Sequence, residues 1–350
     1  MSTNGSRTPA LRRARPRALV TGGAGFIGSH LTEALLERGY SVTVLDNLST
    51  GTPQNILHLE GVRGFQFCKG DIADRTTVEK LVARQDVVFH LAAAVGVKLI
   101  LADPIESFRT NVVGTENVLR AGARSGAKVL IASTSEVYGK VAQIPQREDD
   151  DVLLGPTSYS RWSYAACKML DEFLALSYAR RGAGVLCFRL FNTVGPRQTG
   201  EYGMVVPRFV DAALSGRPLV VHGDGRQSRC FLHVRDAVDA IMRLERTPRA
   251  LGHVFNIGST ESITILELAQ RVIAAVGPDG DSRPSAVFVP YEEAYPYHGF
   301  QDIAARRPDI SKIRSFTKWR PTLSLDDILR DVIESRGAER ADSVADLAAV

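Results

Sequence analysis

Along the first 190 residues, short runs rich in β-branched side chains alternate with segments whose apolar positions recur every three or four residues. RALVT, SVTVLD, GFQFCK, DVVFHL, AKVLIAS and GVLCFRLF read as strands, and the amphipathic segments between them predict helices over about 26–38, 75–84, 105–124 and 160–181. The strands are apolar throughout rather than alternating, as a parallel sheet covered by helices on both faces requires. This succession predicts an α/β fold built on a doubly wound parallel sheet. Beyond residue 192 the period loosens, and Gly and Pro crowd into NTVGPRQTGEYG and HGDGRQSR, followed by a helix near 234–245 and a strand HVFNIG. The expected organisation is a nucleotide-binding domain over 17–191 plus about 234–262, and a smaller C-terminal substrate-binding lobe over 192–233 plus 263–335. Residues 336–350 read as a frayed tail.

Composition narrows the class. With 350 residues, 44% of them hydrophobic, the chain has ample material for a core. Its 43 basic against 39 acidic residues leave a formal charge of +4, too small and too evenly spread to imply nucleic acid as a partner. Residues 1–16 carry four of the Arg and no acid or apolar block, and are expected to be a disordered extension rather than a signal peptide. No run approaches the roughly 18 apolar residues of a membrane span. Cys68, Cys167, Cys187 and Cys230 form no CxxC pair, which fits reduced core residues of a cytoplasmic protein. No ligand set for a metal is expected.

The first chemistry lies in TGGAGFIG, which follows a strand and opens a helix. Gly22, Gly25 and Gly28 there give up side chains at a cost in conformational entropy, so the turn is expected to need bare backbone against a ligand. A dinucleotide pyrophosphate seated on the amides around Phe26 and Ile27 is that ligand. Asp46 ends the second strand 18 positions beyond Gly28, where a carboxylate holds ribose hydroxyls and repels a 2′-phosphate. Neither Asn47 nor Leu48 supplies a cation, so NAD is expected over NADP. Asp71 and Ile72 after the third strand, and Leu91, Ala92 and Ala93 after the fourth, fall where adenine and the dinucleotide backbone pass in this Rossmann arrangement. His90 is expected to be structural.

A second constellation lies in RWSYAACKMLDEF. Tyr164 and Lys168 stand four apart on a predicted helix, with Cβ atoms roughly 5–6 Å apart. An ammonium so near favours phenolate, making Tyr164 a candidate base. The preceding strand ends in ASTSEVYG and delivers Thr134, Ser135 and Glu136 to the carboxyl edge of the sheet, where open α/β sheets bind ligands.

Taken together in this order, TGGAGFIG, HLAA, STSEVYG, YAACK and FNTVGPR resemble the extended short-chain dehydrogenase/reductase family of NAD-dependent nucleotide-sugar enzymes, over about residues 17–335. The resemblance implies that Tyr164 deprotonates a sugar hydroxyl, that Lys168 lowers its pKa and holds the nicotinamide ribose, and that Thr134 assists. It implies a UDP-sugar substrate and a homodimer packed through the helices near 105–124 and 160–181. Asn192 and Arg229 match the family's diphosphate contacts, Val206 and Pro207 the segment on the uracil, and Arg197 is placed within reach of the sugar.

Among the branches of that family, dehydratases typically read Thr-Asp-Glu where this chain has Thr134-Ser135-Glu136, which disfavours dehydration. The same segment and GFQDIAARRPDI are similar to UDP-glucuronate decarboxylases, in which the corresponding stretch supplies an active-site Arg, matched here by Arg306. A uronate carboxylate entering a partly dry pocket needs such a cation. Glu136 is expected to repel it unless protonated or bridged by water, and so to orient a water or proton at C5. UDP-glucuronate 4-epimerases, similar in RWSYAACK and RQTGEYGM, face the same charge problem and remain the alternative. A non-catalytic NAD sensor is disfavoured because Tyr164, Lys168 and Thr134 occur together.

Overall fold

A computed structural model of the chain describes residues 15–95, 103–200, 204–277, 284–295 and 301–348. Its first half runs β1 (Arg17–Thr21), α1 (Phe26–Glu37), β2 (Ser41–Asp46), β3 (Phe65–Lys69), α2 (Arg75–Val82), β4 (Val87–His90) and α3 (Pro104–Phe108). A π-helical stretch, Arg109–Gly114, leads into α4 (Thr115–Ser125), followed by β5 (Lys128–Thr134), α5 (Ser163–Arg180) and β6 (Val185–Leu190). Next come β7 (Thr193–Val194), α6 (Val205–Leu214), β8 (Leu219–His222), β9 (Ser228–Cys230), β10 (Leu232–His233), α7 (Val234–Glu245) and β11 (Val254–Ile257). The chain continues through β12 (Ser262–Thr264), α8 (Ile265–Val276), β13 (Ala286–Val289), α9 (Tyr291–Ala294), α10 (Ser311–Thr317) and α11 (Leu325–Ala348).

Seven strands pair in the order β11-β6-β5-β4-β1-β2-β3, every neighbour parallel. Successive residues of one strand feed opposite layers, because side chains alternate across a pleated sheet. Ala18, Val20, Val44, Phe89, Leu130 and Phe188 meet Leu31 and Leu35 of α1 and Ile241 of α7 on one face. Leu19, Leu45, Val88, Val129, Ile131 and Cys187 meet Val78 of α2, Leu119 of α4 and Ala175 of α5 on the other. Full burial of each such aliphatic side chain contributes about 1.5–3 kcal/mol, so a strand apolar on both faces is stable only between the two layers.

The chain leaves the sheet at its β3 edge and returns beside β1 as β4, opening a crevice between the carboxyl ends of β1 and β4. A second hydrophobic cluster joins Phe209 and Val210 of α6, Leu219 and Val221 of β8, Leu268 and Val272 of α8 and Ile328 of α11. This smaller unit faces the crevice.

Two expectations change. The helix anticipated over 105–124 widens at Arg109–Gly114, where the Asn111 side chain bonds both backbone groups of Ala94 (2.9 and 3.2 Å) and secures the loop after β4. The segment expected to be a frayed tail from 336 instead continues α11 to Ala348. Residues 1–14 of the N-terminal extension, and 201–203, 278–283 and 296–300 of the loops singled out in the sequence, lie outside the described residues.

Candidate active site

A cavity of about 750 Å³ runs along the carboxyl edge of the sheet and under the second lobe. At one end lies the glycine turn. Gly22 adopts φ +71°, and a Cβ on it would stand 2.7 Å from the Ala92 amide nitrogen; one on Gly28 would stand 2.1 Å from the Gly22 carbonyl oxygen. Side chains are excluded there by backbone. The first helical bond of α1 runs from the Ser29 amide to the Gly25 carbonyl at 3.0 Å, so the amides of Phe26, Ile27 and Gly28 have no acceptor within the helix. With no acidic residue in the first turn of α1, they form a seat for phosphate oxygens.

Asp46 is buried at the tip of β2, one carboxylate oxygen accepting the Ala24 amide (2.9 Å) and the other the Leu48 amide (2.8 Å). Burial raises its pKa against those two bonds. Asn47, Ile72, Leu91, Ala92 and Ala93 line the same end of the cavity. Asp71 does not line it: its carboxylate accepts Asn47 Nδ2 at 2.8 Å and the Ala73 amide at 2.7 Å, and so braces the loop. His90 lies between the hydroxyls of Thr21 (2.8 Å) and Thr115 (3.0 Å), and burial together with nearby Lys168 pushes its pKa down to about 3, so it is a neutral packing group.

The other end holds Thr134, Ser135 and Glu136 from the close of β5, Arg161 and Tyr164 from the start of α5, and Arg306 from the segment before α10. Glu136 is clasped by two guanidiniums, with Arg161 Nη1 at 2.5 Å from Oε2 and Arg306 Nη1 at 2.8 Å from Oε1. Burial alone would raise the Glu136 pKa, but Arg306 and Arg161 overcome it and hold it down to about 2. The charge of Glu136, expected to repel a carboxylate, is met by these two cations. Arg306 also donates to Ser135 Oγ at 3.3 Å, and the Nε atoms of both arginines are buried without a partner.

Tyr164 departs from the expectation. Burial raises its pKa, with Glu136, Asp171 and Cys167 adding to the effect, and no lowering by Lys168 appears. The Lys168 ammonium donates to Asp171 Oδ2 at 2.7 Å, and both groups are shut off from solvent. Lys168 does not itself line the cavity.

Facing these groups from the second lobe are Asn192, Arg229 and the Val206-Pro207 start of α6. Asn192 Nδ2 donates to the Cys230 carbonyl (3.0 Å), and Arg229 Nη2 to Asp302 Oδ1 (2.8 Å), whose other oxygen accepts the Tyr291 hydroxyl (2.6 Å). Arg197, placed near the sugar by the sequence reading, is committed elsewhere: in a left-handed conformation (φ +68°), it donates to Glu33 Oε1 at 2.6 Å and Ser29 Oγ at 3.2 Å on α1. It still borders the cavity, on the side of the glycine turn. Arg161, Asp171 and Asp302 were missed from sequence; an acid three residues after Lys168 and an Arg three before Tyr164 were the available signals. Among the described residues no cluster of three or more His, Cys, Asp or Glu could hold a metal ion, and no helix is long and apolar enough to cross a membrane.

A crevice at the strand-order switch, a glycine turn shaped for pyrophosphate and a buried tyrosine on the same wall define a dinucleotide-dependent enzyme of the α/β class. The chain belongs to the NAD dependent epimerase/dehydratase family, whose model matches residues 18–258. It is 44% identical over 321 residues to UDP-N-acetyl-alpha-D-glucosaminuronate decarboxylase of Bacillus cytotoxicus, covering 91% of this chain and 97% of that protein. UDP-glucuronic acid decarboxylase 2 of Arabidopsis thaliana is 38% identical over 328 residues, covering 93% and 69% of the two chains. Among solved structures, the dTDP-glucose 4,6-dehydratase of Streptomyces venezuelae with NAD bound superposes with a TM-score of 0.81 at 30% identity, covering 92% of this chain and 97% of that one.

Proposed function

We propose that the chain decarboxylates a UDP-linked uronic acid, UDP-glucuronate or its 2-acetamido counterpart, using NAD. The observation that carries this reading is the pair of buried arginines, Arg161 and Arg306, gathered on Glu136 beside Tyr164. Two guanidiniums in so dry a place suit a second carboxylate, since an unpaired buried charge costs several kcal/mol. The decarboxylase names of the similar proteins support the same choice.

The residues present fit the cofactor of the family. Its pyrophosphate would rest on the amides of Phe26 to Gly28, where a Cβ on Gly22 or Gly28 would strike backbone. Asp46 keeps lone pairs for ribose hydroxyls beyond the two amides it already accepts. Bound NAD supplies the hydride acceptor. Tyr164 takes the proton from the C4 hydroxyl as hydride leaves C4, and Thr134 orients that hydroxyl. The resulting 4-keto sugar is a β-keto acid, so its C5–C6 bond breaks, carbon dioxide leaves and the electron pair enters an enolate that is reprotonated at C5. Arg306 and Arg161 seat the C6 carboxylate beforehand. Asn192 and Arg229 hold the diphosphate, and Val206 and Pro207 pack on the uracil.

Purified protein given NAD and UDP-glucuronate is expected to release carbon dioxide and yield a product lighter by that mass when hydride returns to C4, or by two further hydrogens when the 4-keto pentose is released first. A product of unchanged mass and new retention time would establish 4-epimerisation instead.

A homodimer belongs to this reading. Helices α3 and α5 pack together and leave Ile105, Phe108, Leu170 and Phe173 exposed, Ile105 by 81% and Phe173 by 61%. An apolar face of this kind on paired helices is what an isologous contact buries. Phe173→Glu is expected to shift sedimentation from dimer to monomer, and a monomeric wild-type protein would refute the dimer.

A further inference from the structure

Asp171 lies on the same helix as Tyr164 and Lys168, three residues past the lysine and facing it. Its carboxylate is 2.7 Å from the ammonium, and the side chains of Asp171 and Lys168 are 0% and 2% exposed. The neighbouring Glu172 binds Arg189 (2.9 and 2.7 Å) and Ser133 (2.5 Å) across to β6 and β5, while Asp171 faces the ammonium and is bonded by Thr115 of α4. The ammonium still acts on His90, but for groups that see both members of the pair the carboxylate offsets part of its charge.

We propose that Asp171 is a positioning residue that fixes the Lys168 ammonium and offsets its charge, thereby setting the pH at which Tyr164 becomes a base. The inference rests on the reading of Tyr164 as the base. Glu136, at the end of β5, faces Tyr164 but is itself neutralised by Arg161 and Arg306. His90 on β4 faces Lys168 and is neutral. From β6, Cys187 is a protonated thiol, its pKa pushed well up by burial, and Arg189 is spent on Glu172. On α5 itself, burial likewise raises the pKa of Cys167, to about 11. Asp171 is therefore the ionised group that decides how much of the lysine's charge reaches the phenol. Its removal leaves Lys168 uncompensated, and an uncompensated cation favours phenolate.

The test reads the phenol directly. The absorbance change of tyrosine ionisation, taken as the difference from Tyr164→Phe, is recorded against pH for the wild-type protein and Asp171→Asn, without substrate and with and without NAD. Asp171→Asn is expected to lower the Tyr164 midpoint by about one pH unit or more, and to move the acid limb of the rate profile by the same amount. Repeated in a Lys168→Met background, the substitution is expected to shift the midpoint by less than half as much, keeping only the direct effect of the Asp171 carboxylate on the phenol. An unmoved or raised midpoint in Asp171→Asn, or a shift undiminished by Lys168→Met, overturns the proposal. Asp171→Ser removes the same charge with less bulk, and is read by the same criteria should the Asn variant misfold. Failure of the base assignment is distinct: Tyr164→Phe would then keep its activity whatever the titration shows.

Discussion

Tyr164→Phe is expected to lower carbon dioxide release from UDP-glucuronate by about 10³-fold or more, while NAD affinity changes by less than about threefold. Tyr164 lines the cavity; in the proposed reaction its phenolic oxygen accepts the proton as hydride leaves, and phenylalanine keeps the ring and its packing. No hydrogen bond of the fold depends on that oxygen among the bonds of the described residues, so melting temperature should hold. Single-turnover measurement with bound NAD separates chemistry from product release. Activity within tenfold of wild type would remove Tyr164 from the reaction.

The second large effect concerns Arg306. Arg306→Ala is expected to weaken UDP-glucuronate binding by about 30-fold to 100-fold and to change UDP-glucose binding by less than about threefold, both read by calorimetry. Removing one partner of a buried ion pair costs about 3–5 kcal/mol when the other is left alone. Here Glu136 retains Arg161 at 2.5 Å, which brings the loss of fold stability toward or below the lower end of that range. Equal weakening for the two sugars would show that Arg306 only holds Glu136, and the uronate contact would be lost.

The central strands of the sheet were legible because their middles are buried on two sides and therefore apolar in a row, as in β1 and β5, whereas the edge strand β3 is mostly exposed. The second lobe was not. Its strands are two to four residues long and pair across wide gaps, β8 with β13 and β9 with β12, so no local period announces them. The same contrast holds in the site. Gly22, Gly28, Asp46 and Tyr164 stand at fixed offsets from strand ends, and the structure brings them to one cavity. Arg161 and Asp302 find their partners only through folding, and a lone Arg or Asp carries no such sign. Arg197 shows the reverse error: it follows a recognisable motif, yet its charge is drawn to Glu33 on α1. The spacing gives the lysine beside Tyr164 but not the burial of the phenol, which raises its pKa.

Glu136 also acts as a resident counter-ion. Because it is tethered within 3 Å of both arginines, a stray metabolite such as citrate or inorganic phosphate has to displace an anion already present at high effective concentration. Only a molecule that brings anchoring contacts of its own at the far, nucleotide-facing end can compete. The arrangement thus keeps the cationic pair discriminating among small acids.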